Sequence, residues 1–197
     1  MLFFTEWSIM LSWGGIAMPN QVNRGFLMTA VLILIFVFFV VMDQLSKAYA
    51  VDMLVNVGNA ESFIPGLIRF EYRQNTGMAW GLLPDARIFF IVITVILFAG
   101  ITYFMVRYKA NMPSFTKVSL TVILAGAMGN FIDRLFIGYV RDFIAFDFFE
   151  FPVFNVADTY VTIGAVLLFV SIAFTKAGRK FAKQLDEPKK NIVDQKD

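Results

Sequence analysis

Four runs without a single charged residue govern what this chain can become: Phe26–Met42, Ile88–Val106, Val118–Ile132 and Thr159–Thr175. They are 17, 19, 15 and 17 residues long. A helix needs roughly 20 mostly apolar residues to cross a bilayer, within a range of about 17–25. The third run is short, but Met112–Thr116, just before Lys117, adds uncharged residues to it. Composition agrees, with 58% hydrophobic and 16% charged residues and a mean hydropathy of +0.69. Soluble domains have about 45–50% apolar and about 25% charged residues. The predicted fold class is an α-helical integral membrane protein with four transmembrane helices.

Lys and Arg orient the spans. The connection Arg107–Lys117 carries Arg107, Lys109 and Lys117 and no acid. The C-terminal segment carries Lys176, Arg179, Lys180, Lys183, Lys189, Lys190 and Lys196. Arg24 precedes the first span. The positive-inside rule places these regions, and so both termini, in the cytoplasm. The connections Tyr49–Arg87 and Asp133–Asp158 then face outward, with Asp52, Glu61, Glu71, Asp85, Asp133, Asp142, Asp147, Glu150 and Asp158. The net charge of +2 is too small to suggest nucleic-acid binding.

Three parts are expected: a lead-in over 1–22, a four-helix membrane domain over 23–176, and a polar cytoplasmic tail over 177–197. The lead-in lacks the basic start of a signal peptide. Met18 is an alternative start, which would make the first 17 residues dispensable; the other reading is a helix lying on the membrane. The tail is polar and expected to be poorly ordered. The first helix is expected to emerge past Met42 and fray near Val55–Gly58. Pro65–Gly66 signals a turn. Ile68, Phe70 and Tyr72 alternate with Arg69, Glu71 and Arg73, which predicts a strand, and Asn75–Gly77 a tight turn. Phe146–Phe154 is a second, weaker strand candidate, and the two would form a small sheet at the membrane surface.

The chain has no His and no Cys. Ser-His, Cys-His and His-zinc chemistry are excluded, and carboxylates remain for acid–base work. Ionisable groups in or beside a bilayer are costly and therefore candidates for function. Asp158 begins the fourth span, three residues after Asn155, a spacing that resembles a capping box. Asp142 reads alone as a solvated acid beside Arg141. A short connection could bring the two together, and paired carboxylates share a proton because they cannot both ionise easily. Asn130, Asp133 and Arg134 share one helical face. They read either as a polar network tying helices together or, for Arg134, as a contact for a peptide carbonyl or lipid phosphate. Gly126 and Gly129 allow another helix to come close. Asp43 and Lys47 have the spacing of a local ion pair, and Asn75 has the bland reading of a turn residue.

The blocks D-Q-L-S-K (Asp43–Lys47), N-T-G-M-A-W-G (Asn75–Gly81), G-N-F-I-D-R (Gly129–Arg134), G-Y-V-R-D-F (Gly138–Phe143) and F-N-V-A-D (Phe154–Asp158) together resemble the lipoprotein signal peptidase (signal peptidase II) family. The resemblance covers roughly Phe26–Thr175. It implies four transmembrane helices with a small β-cradle and a short helix on the outer surface, in a bacterial cytoplasmic (inner) membrane. It implies an aspartic endopeptidase that removes the signal peptide from diacylglyceryl-modified prolipoproteins, cutting before the lipidated Cys. Asp142 and Asp158 would be the catalytic pair. Asn75, Asn130 and Arg134 would bind substrate, and Asp43, Lys47, Asp133 and Asn155 would form a supporting polar network. No metal or organic cofactor is implied. Membrane lipids and cyclic peptide antibiotics are the further partners implied, and a monomer suffices. Met78 and Arg141 depart from the usual family pattern. Met78 could reshape the pocket, and Arg141 could lower the acidity constant of Asp142 or touch lipid headgroups. The rivals are an ion-coupled transporter, since intramembrane Asp residues often relay protons, and a scaffold or lipid-binding protein.

Overall fold

The apolar runs become helices because hydrocarbon offers no partner for backbone N–H and C=O groups, and a helix satisfies them internally. In the computed structural model, the described residues are 21–57, 61–77 and 86–186. The expectations for the lead-in up to residue 20, for Met78 and for the tail beyond residue 186 lie outside them. The spans are α1 (Gln21–Val57), α2 (Arg87–Arg107), α3 (Ser114–Phe136) and α4 (Val156–Phe174). At about 1.5 Å per residue, the 37 residues of α1 exceed a hydrocarbon core of about 30 Å. It projects from the membrane and ends within the expected window.

The third helix is the hub. Half of its apolar window is buried, against 0% for α1 and 6% for α2. The latter two turn Phe26, Leu34, Phe38, Ile88, Ile96 and Tyr103 outward, where lipid is the solvent. Gly126 brings α4 close to α3, since a Cβ there would run into the Ala157 carbonyl and the Val161 side chain, and Gly129 makes room for the Asp43 carboxyl of α1. A buried hydroxyl pair, Thr116 with Ser171 at 2.8 Å, joins the same two helices farther along.

One end of the bundle carries an antiparallel sheet in the order β1 (Glu61–Ile64), β2 (Ile68–Asn75), β3 (Val140–Phe146). Its β1–β2 turn holds Gly66 at φ 72°, a left-handed conformation that Gly adopts readily. The second strand candidate is corrected. The chain pairs over Val140–Phe146; past it, the Asp147 N–H donates to the Leu67 carbonyl, and Phe154 bridges back singly to Ile144. Pro152 has no N–H to donate, and Phe148, Phe149 and Phe151 pack on Phe146 rather than extending a ladder. The sheet rests on the projecting end of α1 through Ala50, Leu54, Phe70, Tyr72 and Phe143.

The tail expectation is also corrected. Residues Lys176–Asp186 form a helix, α5, at the bundle end opposite the sheet. Gly178 and Phe181 face inward, and this apolar contact orders a segment that looked merely polar. It is the only separate short helix among the described residues. Helix beyond the membrane at the sheet end is supplied by α1.

Candidate active site

Asp142 lies on β3 and Asp158 in the first turn of α4, and the fold brings them to one place by two local devices. The first is a cap. The Asn155 side chain accepts from the Asp158 backbone N–H at 3.1 Å, and the Asp158 carboxylate accepts from the Asn155 N–H at 3.1 Å. This is the capping box expected from the spacing, and it pins Asp158 at the positive end of α4. The second is a bulge. Phe70 pairs with Ile144 and Arg73 with Asp142, so β2 carries one extra residue there. A bulge re-aims the residues beyond it. Here it sets Asn75 diagonally across from Asp142, and the Asn75 amide donates to Asp142 Oδ2 at 2.9 Å.

Amides complete the cradle. Asn155 Nδ2 donates to Asp142 Oδ1 at 2.6 Å and to Asn130 Oδ1 at 3.1 Å. Asn130 Nδ2 donates to Asp158 Oδ1 at 2.7 Å. Lys47 Nζ, which can only donate, approaches Asn130 Oδ1 at 3.0 Å. That contact turns the Asn130 amide so that its NH2 must face Asp158. Asn75 closes a tight turn by accepting from the Gly77 N–H at 3.0 Å, as expected.

Asp142 is 2% exposed. Burial first, then the negative charge of Asp158, push its carboxyl up to about 7, against the opposing pull of the Asn75 and Asn155 hydrogen bonds. The expectation that Arg141 lowers this value is overturned. Successive strand residues point to opposite faces, and Arg141 reaches away to Asp133, at 2.7 and 3.2 Å, and to Gln44 Oε1 at 2.8 Å.

The remaining polar residues form a buried layer beneath the two aspartates. Lys47 pairs with Asp43 at 2.9 Å and lies 3.5 Å from Asp133, with all three side chains at 0% exposure. The local Asp43–Lys47 ion pair expected from the spacing is present, and it is fully buried. Asp43 Oδ1 also accepts from the Ala157 N–H at 2.9 Å, tying α1 to the start of α4. Asp133 accepts from the Arg141 backbone N–H at 3.0 Å, tying α3 to the strand that carries Asp142. Arg134 lies over the Phe90 ring at 4.8 Å and donates to the Gly77 carbonyl at 3.3 Å. Its Nε is buried without a hydrogen-bond partner among the described residues.

Two participants escaped the sequence reading. Gln44 bridges Asp43, the Gly129 carbonyl and Asp133 at 3.1, 3.1 and 3.2 Å. Its position beside Asp43 in D-Q-L-S-K was the available signal. Arg87 donates to the Arg134 and Leu135 carbonyls at 2.7 and 2.8 Å, capping the end of α3; nothing local in the sequence marks it. Among the described residues, no group of three or more carboxylates is arranged to hold a metal ion. A cleft of about 730 Å3 opens beside Asp142, lined by Asn75, Gly77 and Arg73 at one end and by Phe146, Phe149 and Phe151 at the other.

Residues 35–174 match the family model described as signal peptidase (SPase) II. A lipoprotein signal peptidase of Enterococcus faecalis is 39% identical over 160 residues, covering 79% of this chain and 98% of that protein. One from Streptococcus pyogenes is 39% identical over 140 residues, covering 71% and 91%. Two solved structures, both described as bacterial membrane enzymes, superpose with TM-scores of 0.64. One is 36% identical and covers 73% of this chain and 87% of its own; the other is 35% identical and covers 75% and 95%.

Proposed function

Since this chain belongs to the signal peptidase II family, we propose that it cleaves prolipoprotein signal peptides as an aspartic endopeptidase, with Asp142 and Asp158 as the reacting pair. The protein is a multi-pass membrane protease that processes lipoprotein precursors. The observation that carries the aspartic assignment is the amide cradle. Asn75, Asn130 and Asn155 link both carboxylates, Asp142 lines the cleft, and Asp142 retains its proton to about pH 7.

One shared proton suits peptide hydrolysis. The ionised carboxylate takes a proton from water as the oxygen attacks the scissile carbonyl carbon. The protonated carboxyl donates a hydrogen bond to the carbonyl oxygen and stabilises the tetrahedral intermediate. Collapse breaks the C–N bond, and a proton passes to the leaving nitrogen. Asp142, the more buried of the two, is the favoured holder of the proton. The unpartnered Nε of Arg134 supplies a donor for a substrate carbonyl or phosphate.

The substrate fits the location. A diacylglyceryl-modified signal helix is itself held in the bilayer, so its scissile bond lies near the interface. A site at the ends of α3 and α4 meets that bond with the acyl chains still in lipid. Extraction would cost about 0.8 kcal/mol per methylene. The positive charge at the opposite bundle end orients the site outward and both termini toward the cytoplasm. The strands β2 and β3 and the segment after β3 leave an open cleft that a cyclic peptide antibiotic could occupy, and one copy of the chain holds every residue in this mechanism.

In the test, Asp142→Asn and Asp158→Asn are assayed on a diacylglyceryl-modified prolipoprotein. Each is expected to lower kcat/KM by at least about 10³-fold while its thermal unfolding transition is retained, as for a group acting in the transition state. Cleavage at the wild-type rate by either variant rules out the pair.

A further inference from the structure

The fourth span does not run on into the tail. Thr175 breaks it with ψ 143°, and its Oγ1 accepts from the Gly178 N–H at 2.9 Å, starting α5 in a new direction. The new helix folds back against the bundle. Phe181, 3% exposed, packs on Phe104 and Tyr108 with ring centroids 6.1 and 6.0 Å away, beside Met112 and Leu120. Its other face presents Lys176, Arg179, Lys180 and Lys183, all exposed. Arg107 and Lys109 are exposed on the adjoining α2–α3 connection. Among the described residues, Asp186 is the one acid at this end, and the ion pairs lie at the sheet end.

Six cations are therefore held by packing, not by a wandering tail, at the level where α4 leaves the hydrocarbon. We propose that α5 is an interfacial helix whose basic face, with Arg107 and Lys109, docks the headgroups of anionic phospholipids. Charge complementarity names this partner: basic clusters directly beside a span attract anionic lipid. The apolar face is already spent on Phe104, Tyr108 and Met112, so attachment to lipid rests on the cations, whose long stems reach the phosphate layer. This surface lies at the end opposite the two aspartates, and it stands whether or not they are the reacting pair.

The test is native mass spectrometry of the full-length, detergent-purified chain with equimolar phosphatidylglycerol and phosphatidylcholine. The wild type is expected to retain phosphatidylglycerol preferentially, with the preference reduced by added salt. Each basic side chain neutralised should weaken it about fivefold, and the variant K176Q/R179Q/K180Q/K183Q should lose it. The charge-preserving variant K176R/K180R/K183R should keep it. All these positions are exposed, and thermal unfolding checks that each variant is folded. Equal retention of the two lipids by the wild type overturns the proposal. So does an undiminished preference in the quadruple variant, or a preference lost instead in R69Q/R73Q at the sheet end.

Discussion

Asp142 and Lys47 owe their properties to burial. Asp142 is held near pH 7 by desolvation and by Asp158, and this has two consequences of known sign. Catalysis that needs one proton on the pair should fall about tenfold per pH unit above about pH 7, read as kcat/KM on a lipidated substrate. The folded value also lies above the ordinary 3.8. The favourable contribution of the protonated Asp142 is complete below 3.8 and is lost as pH rises through about 7. Asp142→Asn should accordingly flatten the dependence of the unfolding midpoint on pH across that interval. Lys47 serves two buried carboxylates and the Asn130 amide. Lys47→Met would leave Asp43 and Asp133 short of a cation, and should cost about 3–5 kcal/mol, measured by denaturant titration in detergent. At this scale much was legible. The absence of His and Cys pointed to carboxylates, and the family resemblance singled out Asp142 and Asp158 among them. The partner of Arg141 was not, because adjacent strand residues face opposite ways and only the strand assignment reveals it.

Helices and strands set how far such residues can travel toward one another. The four spans were readable from uncharged length alone, since hydrocarbon enforces helix. The Asn155 cap was readable from a three-residue spacing. The strand β3 was misplaced because aromatic, β-prone residues over Phe146–Phe154 outweighed the quieter Val140–Phe146 in a local reading. Phe154 bridges Ile144 singly, while neighbouring rings cluster. The helix α5 was missed for a related reason: its order depends on Phe181 finding Phe104 and Tyr108, residues more than seventy positions away in sequence. Phe181→Ala should lower stability by about 3 kcal/mol and expose the segment after Thr175 to proteolysis. Cleavage of lipidated substrate at the far end should persist. A variant that resists protease like the wild type would show that α5 is held by something else.

At the scale of the whole molecule, charge is sorted by end: among the described residues every acid but Asp186 lies toward the sheet end, whereas the end with α5 and the α2–α3 connection is otherwise cationic. The absence of Cys makes single-Cys variants direct probes of orientation. Glu61→Cys should react with a membrane-impermeant thiol reagent added outside cells, and Lys109→Cys should react only after permeabilisation; the reverse pattern would invert the protein. The amino-acid sequence by itself determined the class of protein and the number of spans, and it set the expectations for their orientation and for the residues that do chemistry. Each of these follows from local composition meeting a bilayer. Tertiary structure alone decided how the chemistry is held: the bulge that turns Asn75 onto Asp142, the amides that link it to Asp158, the destination of Arg141 and the folding back of α5. Those contacts join residues from different elements, and their energies exist only when packing has brought the groups together and removed the water between them.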